Sequence, residues 1–312
     1  MPVRFSVRYN RYAKGCVPMN YICADIRTDM IVYSLADERG TLSDSKGIPV
    51  TEKDWKSVVQ ALHAIVRSYD GEEKLDGLAL SVPCLVEPGE GIILSGEEQG
   101  QDYHLAESVT AACGLPCSVE NTVKCTALGE YWLGAGQRSH LLFCLSMGNR
   151  ISGAAVIDGC ILHGASFSAG EIGYMKIGSS VTFGEAASIQ ALLQNVAAAR
   201  QVPAASLDEK KLFRQAKSGD AVAVMAIRRL VDHMAAGIAN ICYLYNPDMV
   251  IISGSLAAQM RYVRPLLMGE LKKRLRPMVY EHTRVTFAHL GETAALTGAL
   301  YWLLQKVRHH DI

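Results

Sequence analysis

Short apolar runs bounded by polar turns alternate along this chain with longer stretches whose apolar residues recur at helical spacing. YICADI (21–26) and MIVYSLAD (30–37) read as adjacent strands, followed by a turn at Gly40 and a weaker strand from Thr41. Trp55, Val58, Val59, Leu62, Ile65 and Val66 fall on one face of a helix over 52–69, with Thr51 as its expected N-cap. LDGLALSV (75–82) predicts a buried strand ending at the Pro83 turn, GIILS (91–95) a short strand, and 103–113 a helix stopped by Gly114. PCSVE (116–120) is a further strand, and a helix follows it.

The plan then repeats. Strands are expected at 139–147, 153–158 and 160–164, with turns at Gly148 and at Asp158 and Gly159. Helices dominate 185–245, a strand covers 249–254, a helix disturbed at Pro265 covers 256–275, and a last strand (284–290) and helix (292–308) close the chain. Each half is thus a three-stranded meander followed by helix–strand alternation. This is an α/β architecture with two mixed sheets, helices on both faces and a ligand cleft between the halves. The expected division is a linker-like segment at 1–19, an N-terminal domain at 20–123 and a C-terminal domain at 124–291, with the last helix (292–312) packing back on the first domain. The repeat is one of element order, not of residue identity.

Composition narrows the partners. Length favours two domains: 312 residues exceed what one core usually holds. Thirty-one basic and 31 acidic residues cancel, so no global field draws nucleic acid or an anionic membrane. The basic cluster KKRLRP (272–277) closes a helix, where cations offset the carbonyl end of the dipole. No apolar run is long enough to span a membrane and no secretory h-region is visible, so the expected location is the cytoplasm. The nine cysteines are odd in number and lie mostly in apolar segments, which fits reduced, buried thiols. Cys113 and Cys117 have no nearby His or third Cys at zinc spacing, so no metal site is expected there.

Three stretches could carry chemistry. In VENTVKCTALGE, the polar pair Asn121 and Thr122 ends a strand, where α/β proteins often place their sites, yet neither is a good general base. The hairpins after the first strand of each half are where phosphates would be cradled by backbone N–H groups. The first, ADIRTDM, has no Gly and carries Asp25, Arg27, Thr28 and Asp29. The second, SMGNRISGA, keeps Gly148 and Gly153 but sets Asn149, Arg150, Ile151 and Ser152 between them. Phosphate cradle and ordinary hairpin turn are both open readings of these loops.

CADIRTDMIVYSLADERGTL, VENTVKCTALGEYWLGAG, AAVIDGCILHGASFSAGEIGYMKIG and VIISGSLA together resemble the ROK family of sugar kinases and sugar-responsive repressors, from about residue 20 to the end. The resemblance implies the actin-like ATPase (sugar kinase/heat-shock) fold, two βββαβαβα halves around a cleft. It also exposes departures. Family kinases read Asp-x-Gly-x-Thr where this chain has Asp25, Arg27 and Asp29. Their second phosphate loop is glycine-dense; here it carries Gly148, Asn149 and Arg150, with Gly254 on the same nucleotide side. Their catalytic Asp follows an Asn; here Thr122 follows Asn121. The His that helps bind sugar and zinc is replaced by Tyr174, and the Cys-rich zinc loop by SSVTF (179–183). Cys84, where the family often has Gly, thickens the pocket wall. The resemblance still implies sugar contacts from Asn121, Glu171 and Glu185, to which Tyr174 can add. For Asn121 a helix cap, and for Glu171 a purely local role, are the competing readings.

Phosphoryl transfer needs a held nucleotide and metal, a positioned hydroxyl and a proton acceptor. Base, loops and zinc ligands all fail together. The expectation is therefore a non-catalytic, pseudokinase-like effector-binding domain of a sugar-responsive transcriptional regulator. It would be homodimeric, would bind a small sugar or sugar phosphate, and would need no cofactor and no zinc. Residues 1–19 resemble the connection to a winged helix-turn-helix, so DNA is expected only through such a module, not through this chain alone. No membrane partner is expected. One alternative is an ATP-dependent carbohydrate kinase with divergent loops, which would need ATP and magnesium. Another is a dimeric scaffold without ligand.

Overall fold

A computed structural model describes residues 20–50, 54–69, 74–95, 101–178 and 180–309. Thr51, residues 1–19 and residue 179 of the 179–183 loop lie outside the described residues. The first half runs β1 (Asn20–Ile26), β2 (Met30–Asp37), β3 (Lys46–Pro49), α1 (Trp55–Arg67), β4 (Leu75–Val82), β5 (Val86–Glu87), β6 (Ile92–Ile93), β7 (Tyr103–His104), α2 (Leu105–Cys113), β8 (Cys117–Asn121) and α3 (Thr122–Trp132). The second runs β9 (Leu141–Met147), β10 (Ile151–Ile157), β11 (Cys160–Ile161), α4 (Phe183–Ala187), α5 (Ile189–Arg200), α6 (Glu209–Lys217), α7 (Ala221–Tyr245), β12 (Met249–Ser253), α8 (Met260–Arg274), α9 (Pro277–His282), β13 (Arg284–Phe287) and α10 (Ala294–His309).

The two main sheets have one plan. Their orders are β3-β2-β1-β4-β8 and β11-β10-β9-β12-β13. In each, an antiparallel meander gains two parallel strands through helical crossovers. Central strands are covered on both faces, which is why they read as continuous apolar runs: Ile22, Cys23, Ala24, Leu78, Ala79 and Leu80 are all buried. On one face of the first sheet lie α1 and α2, through Val58, Leu62, Leu105 and Val109. On its other face lies α10, through Leu296, Leu300 and Leu303. The second sheet packs α4 to α8 on one face and α3 on the other, through Val123, Ala127 and Leu128.

So α3 and α10 lie between the sheets, and they touch each other. A Cβ on Gly298 would stand 1.6 Å from the Cys125 carbonyl oxygen, and one on Gly129 would stand 2.2 Å from that of Ala294. A second tie joins the same region. The buried Glu130 carboxylate of α3 accepts from the backbone N–H groups of Ala135 (2.8 Å), His289 (3.1 Å) and Leu290 (2.8 Å).

Several expected boundaries move. The strand expected from Thr41 is an isolated bridge from Leu42 to Ala36, and regular pairing resumes only at β3. Ser43 explains the gap: its N–H still donates to the Leu35 carbonyl at 2.9 Å, but its hydroxyl takes the Leu35 N–H at 3.0 Å and bonds the Ser34 hydroxyl, so a side chain accepts where a ladder would use a carbonyl. The GIILS segment gives only β6, which pairs β5 and β7 in a separate small sheet. Helix α1 begins after Asp54, whose carboxylate accepts from Ser57 N–H at 2.7 Å. Pro265 sits inside α8, which runs on past it after a 3-10 turn at Ser255–Gln259. Among the described residues no helix is long and apolar enough to cross a membrane. The eight described cysteines are free thiols.

Candidate functional site

A cleft of about 820 Å³ opens between the halves, lined by Asp25, Arg27, Thr122, Ser146, Ser253 and Gly254 among others. It lies at the carboxyl ends of β1, β9 and β12, where both sheets end and chain crossovers part. Asp25 is buried at the end of β1, and both of its oxygens are taken. Oδ1 accepts from the Ser81 hydroxyl at 2.6 Å, and Oδ2 from Arg27 Nε at 2.8 Å. The Ser81 hydroxyl also lies 2.9 Å from Thr122 Oγ1, so Asp25, Ser81 and Thr122 form one chain of bonds. Arg27 reaches on to Glu292, Nη2 to Oε2 at 2.8 Å, and so ties the β1–β2 hairpin to the loop before α10. Thr28 is on the same wall, whereas Asp29 is exposed at the hairpin tip. Gly254 sits opposite with φ +83°, where a Cβ would come within 2.4 Å of the Met147 carbonyl oxygen.

The corner at the end of β8 is closed within the fold. Asn121 Oδ1 accepts from Val123 N–H at 3.0 Å and caps α3, while its Nδ2 donates to the Cys84 carbonyl at 2.8 Å. Three charged or titratable neighbours were not singled out from the sequence. Glu120 is fully buried and pairs with His163 Nε2 at 2.7 Å. Lys124, 2% exposed, donates from Nζ to the Phe167 carbonyl at 2.6 Å. Burial holds the Lys124 ammonium below its ordinary pKa, against the opposing pull of Glu120 and Glu171. The available signal was a carboxylate inside an apolar strand and a lysine in the first turn of an otherwise apolar helix.

A second pocket, of about 560 Å³, lies on the C-terminal half. Its walls include Asn149 and Arg150 from the β9–β10 hairpin, Glu171 and Tyr174, and Thr182 and Glu185 at the start of α4. The fold thus joins Glu171, Tyr174 and Glu185 with two residues of the second hairpin, while Asn121 is not on these walls. Tyr174 is 79% exposed. Glu185 closes a capping box: its Oε2 accepts from the Thr182 N–H and hydroxyl, both at 2.8 Å, and these bonds hold its pKa below the ordinary value. Among the described residues no group of three or more His, Cys, Asp or Glu side chains is placed to hold a metal ion. Tyr174 and residues 180–183 offer neither His nor Cys as a zinc donor.

Glu171 is half-buried, and burial raises its carboxyl pKa while Lys124 and Arg150 pull it down. A carboxyl with a raised folded-state pKa stabilises the fold below its ordinary range, and that contribution is lost as pH rises through the raised value. Glu171→Gln, which cannot ionise, is therefore expected to melt higher than the parent at pH 7. The gap should close as pH falls below about 4, the ordinary Glu range. Paired thermal melts across that window check the sign, and a lower melting point for the variant at pH 7 would refute it.

The ROK family pattern matches residues 21–306. Over 281 residues the chain is 35% identical to an uncharacterized protein of Clostridium perfringens, a match that spans 89% of this chain and 95% of that protein. It is 30% identical over 244 residues to a beta-glucoside kinase of Listeria monocytogenes, spanning 75% and 81% of the two chains. A ROK family transcriptional regulator, a homolog of the E. coli MLC protein, shares the fold with a TM-score of 0.83 over 94% of this chain and 82% of that one, at 22% identity. The chain is also 27% identical over 282 residues to a putative xylose repressor of Caldicellulosiruptor, spanning 82% of this chain and 69% of that protein, so its relatives include both sugar kinases and repressors. The chain belongs to the ROK family and has the actin-like sugar-kinase fold.

Proposed function

We propose that this chain is a non-catalytic, sugar-sensing member of the family, the effector-binding part of a transcriptional regulator that works as a homodimer. One observation supports the loss of chemistry above the others: the two oxygens of Asp25 are held by Ser81 and Arg27, and Ser81 in turn holds Thr122. A threonine hydroxyl cannot take a proton from a sugar hydroxyl at neutral pH. Arg27 also lies where a nucleotide phosphate would approach the first hairpin, and its pairing with Asp25 and Glu292 holds it there. Recognition is the property that remains, because Glu171 and Glu185 still face a pocket of ligand size. Carboxylates accept well from vicinal hydroxyls.

Calorimetric titration with neutral and amino hexoses tests binding, and titration with ATP and magnesium tests catalysis. Heat is expected from a sugar and none from the nucleotide, and Glu171→Ala should weaken the sugar. If no sugar gives heat and Glu171→Ala changes nothing, the sensing reading is wrong. The rival reading, a carbohydrate kinase, is favoured by the size of the cleft between the halves. Thr122→Asp separates the two. No ATP-dependent phosphorylation of any sugar is expected from this variant, since Arg27 still fills the hairpin. Activity restored by that single change would return the chain to the kinases.

A further inference from the structure

Arg150 is the residue that the fold brings to an unexpected place. It sits in the β9–β10 hairpin, whose tip is closed by the Gly148 N–H bond to the Arg150 carbonyl (3.1 Å) and fastened to the start of α5 by the Ile189 N–H bond to the Gly148 carbonyl (2.9 Å). Ile151, the next residue, is buried. The backbone under Arg150 is therefore fixed, and its side chain lines the pocket that Glu171, Tyr174 and Glu185 share. Its field reaches Glu171 and opposes the rise that burial gives the pKa of that carboxyl. The two are nevertheless not in ion-pair contact, and among the described residues the Arg150 guanidinium forms no ion pair. Of the other cations near these walls, Lys124 is buried and bonded to the Phe167 carbonyl, and Lys176 acts on Glu185 from outside the lining residues.

The pocket thus offers two kinds of group. Glu171 and Glu185 present carboxylates, acceptors suited to hydroxyl groups. Arg150 presents a guanidinium with a fork of N–H donors, matched in shape to a carboxylate or phosphate. From this arrangement we infer that the ligand is an acidic sugar, a monosaccharide bearing a carboxylate or phosphate, with Arg150 as the residue that selects the acidic group. The inference rests on the sugar-binding reading above. A neutral sugar would satisfy Glu171 and leave Arg150 in solvent, whereas an acidic one engages both residues. Charge-assisted bonds are the stronger kind, and against the repulsion of Glu171 and Glu185 the acidic sugar gains roughly threefold to tenfold in affinity. Since Arg150 is exposed, that gain falls as salt rises.

Calorimetry on the full chain tests this with glucose, glucose 6-phosphate and glucuronate, together with the galacto and manno equivalents and inorganic phosphate. One acidic sugar is expected to bind at least about threefold more tightly than its neutral parent, and the two acid arms report whether phosphate or carboxylate is preferred. Arg150→Ala should abolish most of that preference, and Glu171→Gln should weaken acidic and neutral sugars together. The melting point of Arg150→Ala should stay close to the parent's, because the side chain forms no ion pair and its pull on Glu171 acts through solvent. A neutral sugar that binds as tightly as its acids, a preference that survives Arg150→Ala, or inorganic phosphate that competes as well as the sugar phosphate would each overturn the inference. Binding of a neutral sugar alone would do so while leaving the sensing reading intact, whereas silence from every sugar would remove both.

Discussion

Gly298→Ala is expected to destabilise this protein by at least about 3 kcal/mol, read as a fall in the denaturant midpoint with an unchanged slope. The added methyl would stand 1.6 Å from the Cys125 carbonyl oxygen, 2.5 Å from its carbon and 2.7 Å from Gly129 N. All three are backbone atoms, which cannot rotate aside as a side chain would. The only relief is to part α3 from α10. Each helix covers a different sheet, Leu128 and Val123 on one side and Leu296 and Leu300 on the other, so parting them opens voids on both. Gly269→Ala in α8 is the control, because nothing lies within 4 Å of its added Cβ. There the ordinary helix preference should stabilise by roughly 0.5–1 kcal/mol. Equal midpoints for Gly298→Ala and the parent would show that the helices do not touch as described.

The second large effect belongs to Glu130→Ala, expected to cost about 3–5 kcal/mol. Its carboxylate is the acceptor for three backbone N–H groups on two loops, those of Ala135, His289 and Leu290. Alanine leaves these donors without that acceptor, and water reaches the site poorly. Glu130→Gln keeps one acceptor oxygen but points an amide N–H₂ at a donor, so its loss should fall between parent and alanine. The loop fixed by His289 and Leu290 continues into Gly291 and Glu292 on the cleft wall. Glu130→Ala should therefore also loosen the Arg27–Glu292 pair, visible as faster amide exchange at 289–293. If the midpoint shifts by less than about 1 kcal/mol, the carboxylate is not the acceptor described.

What the sequence made legible was what depends on local order. Strands β1, β4 and β12 are apolar runs because both faces are covered, and α1 shows one apolar stripe because one face is not. Helix α3 has no such stripe: Val123, Cys125, Ala127 and Leu128 are all buried, against α10 on one side and a sheet on the other. Two-residue strands such as β5, β6 and β7 are too short to display alternation. The site was legible as residue types and not as a geometry. Asp25, Thr122, Glu171 and Arg150 could each be named, but which of them share a wall depends on how the hairpins lie against α4 and α5. The pairings of Glu120 with His163 and of Lys124 with the Phe167 carbonyl join segments about forty residues apart, and nothing local encodes them.

The position of α10 bears on how the chain acquires its structure. The sheet made from β1, β4 and β8 receives the cover of one face from Leu296, Leu300 and Leu303, which follow the whole second half in chain order. During translation that face stays uncovered until the entire second half has left the ribosome, whereas the second sheet meets α3 already made. The first half cannot complete its core ahead of the second, despite preceding it, and in that interval its uncovered apolar face is open to non-native association.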